Sequence, residues 1–401
     1  MSETPFKLSI PDADIELLRK KLQVTRLPDE LDDAKWDYGA PLADIKRLAA
    51  RWENGYDWRK YEAEVNKIPQ FTRDIEVEGF GSLNIHYVHQ KSKLGNAIPL
   101  LYVHGWPGLF TEISKLLPLL TAVAPDQPSF HVVTYSLPGY GFSEGCKKKG
   151  FAIKQYAEVG HKLMLALGYK EYVTEGGDWG SIITHKISAL YGGKYAKAWH
   201  TTCPPSRGPP TFWSAPGLFL RNLITPITEF ERKGLARRQD FLTKGNAYFL
   251  EQASKPQTLG YSLTDSPVGM LAWIYEKLIA WTDDYPWTDD EMLNWISTYW
   301  FSRSGPAASI RIYYEYAHSA PTTQYIEIPS GISLFPKELL LTPTLWVKVT
   351  TNVQVAFEHD KGGHYPAYEV PKVLADDLRK MFGIGGVAFG VVPGRSGYAI
   401  A

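Results

Sequence analysis

Only two of the 401 residues are cysteine, Cys146 and Cys203. Two thiols build neither a disulfide framework nor a cysteine-based zinc site, and they suit a reducing compartment, so a cytoplasmic location is expected. An excess of charge of one sign is also missing: 43 Lys and Arg stand against 43 Asp and Glu. No overall field steers the chain toward nucleic acid, and a small uncharged partner is the expectation. No apolar run reaches the roughly 18 residues that a membrane-spanning helix needs. The start, MSETPFKLSIPDADIELLRKKL, lacks the basic-then-apolar order of an export signal. A soluble globular protein without a membrane anchor is therefore predicted, with no internal repeat or low-complexity tract, and homodimerisation is left open.

What the sequence does have is a change of rhythm. Residues 1–70 read as a helical meander: Asp12 and Asp14 after Pro11 signal a helix start, and Ile15, Leu17, Leu18 and Leu22 recur near helical spacing. Trp36, Trp52, Trp58 and Tyr61 need burial, so this stretch is expected to pack on a core. Residues 71–203 begin with period two at 74–78 and 83–88, which predicts half-buried antiparallel strands. Short apolar runs at 98–103, 131–135, 172–174 and 196–201 then alternate with helix-like stretches, the pattern of a parallel sheet. Residues 204–322 are rich in Trp and Tyr at helical spacing, as at 271–278, and read as a helical lid. Strand character returns in 323–401, at 328–335 and 353–357. The fold class predicted is α/β, a mostly parallel central sheet with a helical insertion and an N-terminal meander. Lys147, Lys148 and Lys149 read as a solvated loop.

Four pieces fall at strand ends, where open α/β sheets gather their ligands. His104-Gly-Trp-Pro-Gly108 follows the strand ending at Val103; glycine permits a tight turn and Pro107 invites a cis bond, which could aim the backbone NH of Trp106 inward. Gly176-Gly-Asp-Trp-Gly180 matches the strand–elbow–helix of serine hydrolases, with Asp178 where serine stands and the NH of Trp179 beside it. A plain helix N-cap is the competing reading of Asp178. His364, preceded by two glycines, follows the last predicted strand. Glu338, in Phe335-Pro-Lys-Glu338, is placed to hold its other nitrogen, with Glu358 and Asp360 as rivals closer in sequence. The order 178, 338, 364 is nucleophile, acid, base.

These stretches, together with Lys255-Pro-Gln-Thr-Leu-Gly-Tyr-Ser-Leu-Thr-Asp-Ser-Pro-Val-Gly269 and Gly362-Gly-His-Tyr-Pro366, resemble the epoxide hydrolases of the α/β-hydrolase superfamily, in the branch of microsomal and fungal enzymes. The resemblance spans nearly the whole chain and is nearer the soluble fungal type. It implies an α/β-hydrolase fold that turns an epoxide and water into a vicinal diol through an ester on Asp178, with no metal or organic cofactor. It also implies two lid tyrosines as proton donors to the epoxide oxygen. Tyr248, seven positions before Lys255, fits the first; Tyr313 fits the second, with Tyr314 as its neighbouring alternative.

An aspartate suits this chemistry. An epoxide has no carbonyl for an alkoxide to add to, and a carboxylate, with an ordinary pKa of about 3.9, is an anionic nucleophile at neutral pH without a base. Its leaving oxygen needs a proton, which a phenol of pKa about 10 still carries. Dehalogenases use the same nucleophile but must cradle a halide, and a non-catalytic relative would keep only the pocket. A serine esterase at Ser181 is a further alternative. Trp213, Phe219, Phe249 and Trp273 suggest an apolar or aromatic substrate.

Overall fold

The computed structural model describes residues 3–319 and 324–399, so the expected lid boundary at 322/323 lies outside the described residues. Nine strands form one sheet: β1 (Thr4–Pro5), β2 (Gln70–Val77), β3 (Gly81–Gln90), β4 (Ile98–Val103), β5 (Phe130–Tyr135), β6 (Tyr172–Gly176), β7 (Ala196–Thr201), β8 (Ile326–Leu334) and β9 (Thr351–Glu358). Their order is β1-β2-β3-β5-β4-β6-β7-β8-β9. Pairing is antiparallel from β1 to β5 and parallel beyond it. Residues β4, β5 and β6 contribute are buried throughout, as strands covered on both faces must be. Alternation divides the core in two. Leu101, Val103 and Val133 pack with the helices Ile153–Ala166 and Trp179–Tyr191, whereas Leu100, Tyr102 and Val132 pack with Leu117–Thr121 and Pro371–Phe382.

Between β7 and β8 the chain leaves the sheet as helices running from Pro216–Ile224 to Arg311–Ala317. The N-terminal helices Asp12–Gln23, Leu42–Asn54 and Trp58–Val65 lean on this insertion. Arg51 pairs with Asp290 at 2.9 Å and Arg47 with Asp289, so the meander braces the lid. Ile15, Leu18 and Leu22 make its buried stripe, and Trp52 and Trp58 are buried as expected.

Some expectations fail. Thr4 and Pro5 add an edge strand to β2, so the first 70 residues are not helical segments alone. Leu17 falls off the buried stripe, and Trp36 is 41% exposed, resting one face on Tyr275. Flat aromatic rings are satisfied by one covered face. Lys147 to Lys149 are exposed. No helix among the described residues is long and apolar enough to cross a membrane.

Candidate active site

β6 ends at Gly176, and the helix Trp179–Tyr191 begins three residues on. Between them Asp178 has φ 50° and ψ −127°, a conformation that costs a non-glycine residue about 1–3 kcal/mol. Close packing over-determines it. A Cβ on Gly180 would lie 1.8 Å from the Val103 carbonyl oxygen, so only glycine lets the helix start sit directly on β4. The carboxylate of Asp178 caps nothing in its own helix, which removes the N-cap reading. Its Oδ1 accepts a hydrogen bond from the Trp106 backbone NH at 2.7 Å instead. Trp179 is the first helical residue, whose NH has no intrahelical acceptor, and the positive end of the helix favours an anion here.

The Trp106–Pro107 bond is cis, as the sequence invites. His104 steadies this loop: burial lowers its pKa to about 4, so it is neutral, with Nδ1 2.9 Å from the Gly105 carbonyl and Nε2 accepting from the Leu137 NH at 3.3 Å. A Cβ on Gly105 would lie 2.1 Å from Asp178 Oδ1. Gly105→Ala is therefore expected to push the Trp106 NH off the carboxylate and lower kcat/KM about 100-fold or more, the scale for losing one oxyanion donor. Steady-state kinetics beside a thermal melt tests this; a folded variant of full activity would show the close approach to be dispensable.

His364 Nε2 lies 3.5 Å from Asp178 Oδ2, and its Nδ1 lies 2.9 and 3.1 Å from the two oxygens of Glu338. Glu338 is buried and also accepts from the Leu339 NH at 2.8 Å. Its rivals Glu358 and Asp360 are exposed. Burial alone would lower the pKa of His364, but the Glu338 and Asp178 carboxylates outweigh it and hold the imidazole well above the ordinary histidine value. The imidazole thus lies between two carboxylates that both favour its protonated form. Because the folded pKa exceeds the unfolded value of about 6.5, the stabilisation is complete below that pH and is lost as pH rises through the folded value. Asp178→Asn is expected to lower the His364 pKa in an NMR titration, and an unshifted titration would contradict this electrostatic reading.

Sequence reasoning did not single out Glu369. Its carboxylate accepts from the Asp283 NH at 2.7 Å, the Gly363 NH at 3.1 Å and the Tyr365 NH at 2.9 Å. The His364 NH donates to the Trp281 carbonyl at 2.8 Å. The histidine loop is thus fastened to lid residues 281–283. Burial pushes Glu369 up to about 7 despite these donors. Nothing in the local sequence distinguishes it from a surface acid.

Tyr248, on the helix Ala247–Ser254, and Tyr313, on Arg311–Ala317, are both buried, with ring centroids 5.9 Å apart. Tyr248 stacks on Trp106 at 5.4 Å, and Tyr313 meets Trp179 edge-on at 4.7 Å. With Asp178, Trp179, Ile182 and Phe249 they line a cavity of about 370 Å³. Burial pushes both phenols well above the ordinary tyrosine range, with the Asp178 charge adding to it, so both keep their protons. Tyr314 instead stacks on exposed His318 at 4.0 Å. Of the four aromatics expected at the substrate only Phe249 lines this cavity: Trp213 is 92% exposed, Phe219 packs near Phe212, and the Trp273 indole donates to Gln252. Ser181 is buried, its hydroxyl bonded to Thr201 at 2.8 Å.

Two family descriptions match this chain, "Epoxide hydrolase N terminus" over residues 3–113 and "alpha/beta hydrolase fold" over residues 98–331. Epoxide hydrolase 1 of Sus scrofa is 33% identical, covering 95% of this chain and 88% of its own. The chain belongs to the epoxide hydrolase family. A Stigmatella aurantiaca relative is 38% identical over 94% of this chain and 84% of its own. The solved Aspergillus niger epoxide hydrolase matches with a TM-score of 0.81 at 33% identity, covering 94% of this chain and 95% of that one. The juvenile hormone epoxide hydrolase of Bombyx mori matches with 0.84 at 29%, covering 94% and 93%. As an epoxide hydrolase the enzyme converts an epoxide and water to a vicinal diol on an α/β-hydrolase scaffold with a helical cap, which sets aside the dehalogenase and non-catalytic readings.

Proposed function

We propose that Asp178 attacks one epoxide carbon through Oδ2 while Tyr248 and Tyr313 protonate the departing oxygen. The observation that carries this reading is the division of labour at one carboxylate: Oδ1 is held by the Trp106 NH at 2.7 Å, and Oδ2 faces the His364 imidazole at 3.5 Å. The carbon–oxygen bond of the ring breaks as the Oδ2–carbon bond forms, leaving a hydroxy-ester whose carbonyl oxygen is Oδ1.

Esterification removes the Asp178 charge and with it part of what keeps His364 protonated. The imidazole, still oriented by Glu338, then gives up its proton, which makes good the one a phenol delivered to the ring oxygen, and acts as base for water. Water adds to the ester carbon as His364 takes its proton, the Trp106 and Trp179 NH groups hold the oxyanion, and collapse releases the diol with Oδ2 in it, protonated by His364. Residues 204–322 act as the lid. The apolar lining of the cavity favours an apolar or aromatic epoxide. The free thiols Cys146 and Cys203 fit a cytoplasmic setting.

A single turnover in heavy-oxygen water tests this route. Label is expected in the Asp178 carboxylate and not in the diol; label in the diol alone would mean direct attack by water.

A further inference from the structure

A cavity that opens epoxides needs one anion, and this one also holds a cation. Among the described residues that line it, two carry charge, Asp178 and Arg238. Asp178 is the nucleophile; nothing in the reaction assigned above uses Arg238. Setting a guanidinium in a wall shared with Phe241, Leu242, Phe249 and Leu340 costs desolvation that an uncharged side chain would not. The helix that carries it, Glu229–Asp240, offers no relief, because its three carboxylates are engaged elsewhere. Glu229 pairs with Lys233 at 2.8 Å, Asp240 with Lys244 at 2.6 Å, and Glu231 accepts from the Thr228 NH at 3.0 Å. Arg238 forms no ion pair among the described residues.

The guanidinium is nonetheless aimed. One of its NH groups donates to Thr342 Oγ1 at 3.2 Å, and that hydroxyl donates in turn to the Leu340 carbonyl at 3.0 Å. Thr342 and Leu340 both line the cavity, so the fork is steadied at its wall while most of its NH donors are left for a ligand. Asn246, whose side chain caps nothing in its own helix, lines the cavity too. Phe241 follows Arg238 by three positions in helical backbone, which puts the two on one face, and its ring lies 6.4 Å from that of Tyr248. Along this wall the order is proton donor, apolar ring, cation. A ligand that matches it has its oxirane at Tyr248 and Asp178, an apolar body against Phe241, and an anion at Arg238. The anion belongs away from the oxirane, where the Asp178 carboxylate would repel it. A planar guanidinium meets a carboxylate through two parallel hydrogen bonds, and a cavity of about 370 Å³, at the small end of ligand sites, suits a compact body.

We propose that Arg238 is a specificity-determining residue that receives a carboxylate of the substrate, so that the enzyme prefers a compact epoxide whose acid group is set apart from the oxirane by an apolar spacer. This rests on the reading of Asp178, Tyr248 and Tyr313 given above and adds to it the chemistry of the far end of the substrate.

Two substrates that differ in one charge, para-glycidyloxybenzoate and its methyl ester, test this with the full chain. The wild type is expected to favour the acid by at least about tenfold in kcat/KM, the low end for a hydrogen bond to a charged group, with the gain in KM. In Arg238→Gln the preference is expected to vanish or reverse, and in Arg238→Lys to be intermediate, because an ammonium supplies the charge without the fork. A merely structural role would lower both substrates alike and leave their ratio standing. The inert acid para-propoxybenzoate, which has no oxirane, reads the subsite apart from the chemistry: calorimetry is expected to show it binding the wild type at least about tenfold more tightly than Arg238→Gln. Three results would overturn the proposal: a wild type that opens the acid no better than the ester, a preference that survives Arg238→Gln, or equal affinity of the two proteins for para-propoxybenzoate. Were the Asp178 reading to fail instead, the ester would go unopened while para-propoxybenzoate still told the two proteins apart, so the two claims fall separately.

Discussion

Mixed with excess epoxide, the His364→Gln variant is expected to gain the mass of one substrate molecule at Asp178 and then stall. Alkylation needs only the carboxylate and a proton donor, and both survive this change. Ester hydrolysis needs a base 3.5 Å from Asp178 Oδ2, and an amide cannot accept the proton of water. The second half-reaction should therefore slow by about 10²–10⁴-fold, the usual worth of a positioned base. Asp178→Asn, assayed promptly and checked by mass for reversion to aspartate, should lose about 10⁴-fold or more in kcat/KM and form no adduct. Peptide mapping of the stalled variant locates the ester. An adduct on another residue, or none while diol still forms, would remove Asp178 from the reaction path.

Loss of the two phenols should act on the other half of the cycle. Tyr248→Phe and Tyr313→Phe are each expected to slow alkylation by about 100-fold, and the double variant by about 10⁴-fold, within the range for general acid catalysis. Neither ring leaves a cavity when its hydroxyl is removed, and the stacking of Tyr248 on Trp106 and the edge contact of Tyr313 with Trp179 remain. Folding should be nearly unaffected. No ester should accumulate in these variants, because its formation and not its breakdown has become slow; rapid-quench mass spectrometry separates the two cases. Should a double variant open epoxides at the wild-type rate, the lid would supply no proton. Tyr314→Phe, on a ring stacked against exposed His318, should change little.

The elbow was legible because every demand on it is local. Gly176, Asp178 and Gly180 sit within five positions, and the backbone can pass from β6 into a helix against β4 only if the two glycines carry no side chain. The Trp106 loop and the glycines before His364 carry similarly local signals. The strands were readable for the same reason, since alternation expresses the pleat of each strand by itself. Sequence reasoning failed where burial depends on what another segment does. Trp36, Trp213 and the apolar residues of Pro216–Ile224 look like core on composition, yet only one face of Trp36 is covered and no element among the described residues buries the others. Glu369 looks like a surface acid and instead ties the histidine loop to the lid.

The amino-acid sequence by itself singled out the candidate nucleophile, the candidate base, the α/β alternation and, through motifs spread over nearly the whole chain, the resemblance to epoxide hydrolases. Tertiary structure decided which acid reaches His364, which of two adjacent tyrosines faces the cavity, and that the Trp106 NH, 72 residues away, grips Asp178. The reason is physical. Glycine content and side-chain periodicity constrain the backbone over a few residues, whereas a hydrogen bond between distant segments exists only once sheet order and helix packing have fixed the space between them.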